Sequence, residues 1–203
     1  LPLWDHPTPV DVDEVSFMGA LGFPREYPVH HPGYPLWVAM GTALQALGLD
    51  PYTALQTWSF AASMAAPIML YVGLRWVLND SLAWWLALAF GANPLVWFQG
   101  MTALSYMGGA TLGLLVVGWC YVALTQKRAA AMYAAATALA VGVLLRADLL
   151  IYLGPLLAYV AWRFRSARGT IALVILAAGV LALLVWTSYL YGRANAGGLR
   201  PHL

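Results

Sequence analysis

Charge is what this sequence has least of. Asp, Glu, Lys and Arg make up 9% of its 203 residues, against roughly 25% in a soluble globular domain. So few charges cannot cover a water-facing surface. Cysteine is nearly absent: Cys120 stands alone inside an apolar run, which excludes an intrachain disulfide. The basic residues are scattered and the net charge is only +2, so nucleic acid is not an expected partner. No Walker, GxSxG or HExxH motif occurs. The alternating pattern of an outer-membrane barrel is missing too. Charges inside the apolar runs are too few for an ion or proton relay. No broken-helix pair or midplane charge stands out, which speaks against a pump or transporter.

What is there is hydrocarbon. The chain is 62% hydrophobic with mean hydropathy +0.73, and apolar runs of about 20 residues mark transmembrane helices. The expected fold class is all-α: a polytopic transmembrane helical protein with about six spanning helices, plus juxtamembrane helices in an outer N-terminal loop. Residues 1–51 form that loop, 52–191 the helical domain and 192–203 an outer tail. The chain opens on Leu1 in a polar, proline-rich segment. Further residues, including a membrane helix, are expected upstream.

Polar chemistry crowds into the start. Five of the eight acidic residues lie in the first 26 positions and three of the four histidines in the first 31. Pro2, Pro7, Pro9, Pro24, Pro28 and Pro32 make this a loop, with room for one short helix over 13–21 capped by Asp11 or Asp13. Residues 35–49 are apolar but too short to span, which suits a helix lying at the interface, with Tyr34 and Trp37 at headgroup level. Six longer runs follow. Residues 52–78 carry Pro67, which should kink the helix, and 81–99 carry Pro94 near the end. Then come 101–124, the shorter 129–145 and 147–165, and finally 170–191. Gly109 and Gly113 stand in GxxxG spacing, and Ala61, Ala62, Ala65 and Ala66 line another run; tight packing within the chain is their expected use.

Basic residues set the orientation. Lys127 and Arg128, and Arg163, Arg165 and Arg168, are the densest basic loops, so both belong on the cytoplasmic side. That places the turn at 146–148 outside, with the turn at 99–105 and, if 35–49 does not span, the acidic N-terminal loop. The ten tryptophans read as interfacial anchors and packing.

Three sets of residues could carry chemistry. Asp13 and Glu14 offer a general base at a membrane surface, and Asp13 a ligand for a divalent metal ion; the competing reading is helix capping. His30 and His31, before Pro32-Gly33, could meet an anionic headgroup. Arg146 and Asp148 interrupt two apolar runs, and the arginine fork suits a phosphate. The competing reading there is an ion pair that ends two helices.

Together these residues resemble a known family. An Asp-Glu pair in a first outer loop, then a His-Pro turn and a short Pro-Leu-Trp helix, is similar to the GT-C membrane glycosyltransferases, such as protein O-mannosyltransferases and the lipid A aminoarabinose transferase. The matching stretches are Asp13-Glu14, His31-Pro32-Gly33-Tyr34-Pro35-Leu36, Asn93-Pro94 with Trp97, and Gly142 to Leu145 with Arg146. The resemblance implies a catalytic role for Asp13, with Glu14 in support. It also implies a polyprenyl-phosphate sugar donor bound through His30, His31, Arg146 and Asp148 at the outer face of a bacterial inner membrane. Many members carry a second acid in the next outer loop, and residues 99–106 contain none. The alternative expectation is therefore a catalytically inactive structural subunit of a larger membrane complex, photosynthetic or respiratory, with other membrane subunits as partners.

Overall fold

The computed structural model describes Phe17, Met18, Leu21 and residues 34–164 and 167–196, with side chains in the last stretch given for 168–188. The described residues are all-helical, without strands. Eight helices follow one another: α1 (Pro35–Gln45), α2 (Pro51–Leu74), α3 (Asp80–Gly91), α4 (Pro94–Met101), α5 (Tyr106–Gln126), α6 (Ala129–Leu145), α7 (Leu149–Phe164) and α8 (Ala167–Ala196). Three of them, α2, α5 and α8, are long and apolar enough to cross a membrane. The pair α3–α4 would make a fourth crossing, while α6 and α7, at 17 and 16 residues, are shorter.

Local chemistry explains most boundaries. Asp50 starts α2 by accepting from the backbone N–H groups of Tyr52 and Thr53, and Pro51 stands at the first position, where its missing N–H costs nothing. Asn79 and Asn93 cap α3 and α4 in the same way. Lys127 ends α5 in the left-handed region at φ 52°.

The expected span over 81–99 is two helices. They meet at a 52° bend. The cause is Pro94, which biases the residue before it to extended geometry; Asn93 sits at φ −66°, ψ 125° and becomes the cap of α4. The expectation that no broken helix pair interrupts the chain is thereby corrected. Pro67, by contrast, lies inside the continuous α2.

Helix α6 is the central element, packed on α1, α5, α7 and α8. Its buried residues are Ala131, Ala135, Ala136 and Gly142 with the larger Met132, Leu139, Val143 and Leu145. Small side chains let backbones close in: a Cβ added at Gly179 of α8 would stand 2.8 Å from Ala140 Cα. The glycines of α5 serve packing within the chain. A Cβ at Gly108 would meet Leu145 at 2.8 Å, and one at Gly109 would meet Arg146 Cδ at 2.6 Å.

A second buried cluster lies at the opposite end of α6 from Lys127. It joins Phe17, Trp37, Leu55, Ala103, Leu104 and Leu145. Trp37 is 1% exposed, with Phe17 edge-on at 6.4 Å. It is a core residue rather than the headgroup anchor expected, because Phe17 packs on it and Leu21 joins the same cluster.

Candidate functional site

Helix α2 builds the floor of the site. Tyr52, Gln56, Ser59 and Ser63 recur at helical spacing and form a polar stripe along one face of the helix. The stripe hydrogen-bonds the backbone of the segment that runs through α4 into α5. Tyr52 Oη and Gln56 Nε2 donate to the Met101 carbonyl at 3.3 and 2.8 Å. Ser59 Oγ donates to the Leu104 carbonyl at 2.5 Å, and Ser63 Oγ to that of Val96 at 3.4 Å. These bonds matter because 102–104 is not helical and its backbone lies buried, where an unpaired carbonyl is costly. Gly100 fits only because it lacks a side chain; a Cβ there would collide with Ser63.

The anchored segment delivers Ser105 and Tyr106 to Arg146. Arg146 follows α6 in extended geometry, at φ −151°. Its Nε and Nη2 donate to the two carboxylate oxygens of Asp148 at 3.1 and 2.7 Å. Its Nη1 points to Ser105 Oγ at 3.5 Å, and its guanidinium lies 4.2 Å from the centre of the Tyr106 ring. Gly109, one turn further along α5, leaves the space that the arginine stem occupies.

Electrostatics follow from this packing. Burial alone would lower the Arg146 pKa, but the hydrogen bond and charge of Asp148 outweigh it and hold the arginine above its ordinary value. Arg146 in turn holds the Asp148 carboxyl below its ordinary range, against a smaller effect of burial. The pair is ionised at neutral pH. Asp148 occupies the Nε–Nη2 edge of the guanidinium. The end-on edge, Nη1 with the second hydrogen of Nη2, faces the Ser105 side and is the part of the fork suited to an incoming oxyanion.

The described residues of the N-terminal segment reach the same end. Phe17 packs edge-on against Tyr34 at 5.1 Å and shares a buried cluster with Leu145, the residue before Arg146. Tyr34 stands at φ 43° and opens α1. Asp13, Glu14, His30 and His31 lie outside the described residues. Among the described residues, no group of three or more His, Cys, Asp or Glu could hold a metal ion.

Arg146 and Asp148 announce themselves in the sequence as charges between two apolar runs. Ser105, Tyr106 and Gly109 do not, since they reach Arg146 across about forty positions. The polar stripe of α2 carries a legible signal, a spacing of four, three and four residues, that composition alone conceals. No protein-family model, curated protein or solved structure matches the chain.

Proposed function

We propose that the chain is a GT-C-type glycosyltransferase module of a bacterial inner membrane, transferring a sugar from a polyprenyl-phosphate donor at the outer face. One observation carries this reading. Arg146 and the described part of the first outer loop meet at one end of the helices, through the cluster of Phe17, Trp37 and Leu145. A cation with its end-on edge toward a serine, at the end of the helices where the chain's N-terminal segment packs, is one half of the pairing that such a reaction needs.

The chemistry is substitution at the anomeric carbon. An acceptor O–H attacks, the bond from that carbon to the phosphate oxygen breaks, and the phosphate leaves with the electron pair. Asp13 takes the acceptor proton, supported by Glu14. Arg146, oriented by Asp148, and His30 and His31 bind the phosphate, whose charge grows as the bond breaks. The distribution of basic residues supports the orientation. Arg75, Lys127, Arg128, Arg163 and Arg168 belong to the end away from Arg146, the cytoplasmic end by the positive-inside rule.

The test is sugar transfer from a polyprenyl-phosphate-linked donor to a lipid or peptide acceptor in proteoliposomes. Asp13→Asn should abolish transfer while leaving the melting transition unchanged. Transfer at the wild-type rate in that variant rules the reading out.

The second reading, a structural subunit of a larger membrane complex, is favoured by one feature. Helix α3 buries only Ala83 and Ala87, leaving Trp84, Trp85 and Leu88 exposed along a face that another subunit could cover. Co-purification of stoichiometric membrane partners, with no transfer activity, would select it.

A further inference from the structure

Trp37 holds a hydrogen-bond donor that the fold does not use. Its side chain is 1% exposed, and its indole Nε1 is buried with no hydrogen-bond partner. A buried indole N–H is ordinarily paired, because the group has left water and can only donate. Trp58, packed against the same cluster, shows the ordinary case: its Nε1 donates to the Met40 carbonyl at 2.8 Å. Backbone carbonyls of the segment that feeds the cluster are spent elsewhere. That of Met101 accepts from Tyr52 and Gln56, and that of Leu104 from Ser59.

The place of Trp37 in the fold says what chemistry would answer this donor. Its cluster includes Leu104 and Leu145, the residues that precede Ser105 and Arg146 in the chain. Arg146 brings further unspent donors to the same end. Asp148 takes Nε and one hydrogen of Nη2, while Nη1 reaches Ser105 only at 3.5 Å. Indole and guanidinium have no acceptor between them, so a ligand that meets both must bring acceptor oxygens on more than one side. A phosphate does this, and its charge strengthens each bond. We propose that Trp37 is a ligand-binding residue, whose Nε1–H donates to one oxygen of a lipid phosphate while other oxygens meet the end-on edge of Arg146. The two tryptophans then do different work: Trp58 ties α2 to α1, and Trp37 is kept for the ligand. The inference rests on the oxyanion reading of Arg146 under the proposed function and needs no transfer reaction.

Farnesyl phosphate, a short lipid phosphate, is the probe, titrated into protein labelled at the indole nitrogens in maltoside micelles. Among the ten tryptophans, the indole resonance of Trp37 is identified by its Overhauser contacts with the Phe17 ring and by its loss in Trp37→Phe. That resonance should move downfield as farnesyl phosphate is added to the wild type, and stay in place in Arg146→Ala. Trp37→Phe should bind the probe about tenfold more weakly, and Trp58→Phe should bind it as the wild type does. If Arg146→Ala loses affinity while the Trp37 resonance of the wild type does not move, the inference is overturned and the reading of Arg146 stands. If Arg146→Ala binds as the wild type does, both fall. A Trp37 resonance that lies downfield before any ligand is added also overturns the inference, because the donor then has a partner within the protein. Inorganic phosphate should act only at much higher concentration; equal potency overturns a lipid as the source of the phosphate. The decisive readout is taken on the wild type, so a Trp37→Phe chain that fails to fold leaves the test intact.

Discussion

Each end of the molecule carries an arginine–aspartate pair of nearly the same length. Arg146 Nη2 lies 2.7 Å from Asp148 Oδ2, and Arg75 Nε lies 2.6 Å from Asp80 Oδ1. Both arginines also face a tyrosine ring, Tyr106 at 4.2 Å and Tyr71 at 5.5 Å. The difference is solvent. Side-chain exposure is 15% and 39% in the first pair but 55% and 67% in the second. An exposed pair gains little, because water and salt screen it and two side chains lose freedom to hold it. A half-buried pair is held differently: removing either partner strands a charge where water reaches it poorly. The Arg75 pair decorates a helix junction. The Arg146 pair is supported by Ser105, Tyr106 and the gap at Gly109, and that support is what a site requires.

The largest difference should come from removing the acids. Asp148→Ala leaves Arg146 half-buried without its bidentate partner and should destabilise the protein by about 2 kcal/mol in detergent-micelle unfolding, scaled down from a fully buried pair. Asp80→Ala should cost about 0.5 kcal/mol or less. Equal losses would erase the distinction between the two ends. Next come two glycines of α5. Gly109→Ala forces the Arg146 stem to shift, since the new Cβ would lie 2.6 Å from Cδ, and should cost about 1 kcal/mol. Gly118→Ala, whose Cβ would be 3.3 Å from the Trp76 ring at the other end, should fall within about 0.5 kcal/mol of neutral, because alanine favours the helix.

Acid should weaken the Arg146 pair. The folded Asp148 pKa lies below the ordinary value of 3.8, so its stabilisation is complete above that value and is lost as pH falls through the lower folded one. Melting temperature measured downward from pH 5 should drop for the wild type and less for Asp148→Asn; parallel curves would contradict the assignment. The smallest effect concerns salt. Raising ionic strength should remove what little Asp80 contributes and leave the cost of Asp148→Ala nearly unchanged.

The sequence told different amounts about different parts. The bounds of α6 can be read from its apolar run between Arg128 and Arg146, because charges at both ends interrupt hydrophobic continuity. The break between α3 and α4 is harder, since the residues on both sides are apolar and only Asn93-Pro94 betrays it. Trp37 misleads for another reason: indole belongs equally to interfaces and cores, and only tertiary cover by Phe17 decides. At the site, Arg146 and Asp148 are visible as charges in a greasy context. Their partners on α5 are ordinary residues made special by a contact distant in sequence, which no local pattern encodes.

Under the proposed function, the Arg146 end, and not the Arg75 end, receives the phosphate of a lipid. The most direct test is the affinity of the reconstituted protein for polyprenyl phosphate, measured for the wild type, Arg146→Ala and Arg75→Ala. The account predicts a loss of about tenfold or more at Arg146, the scale of one charge-assisted hydrogen-bonding partner, and no change at Arg75. Unchanged affinity in Arg146→Ala, or an equal loss in both variants, would contradict it.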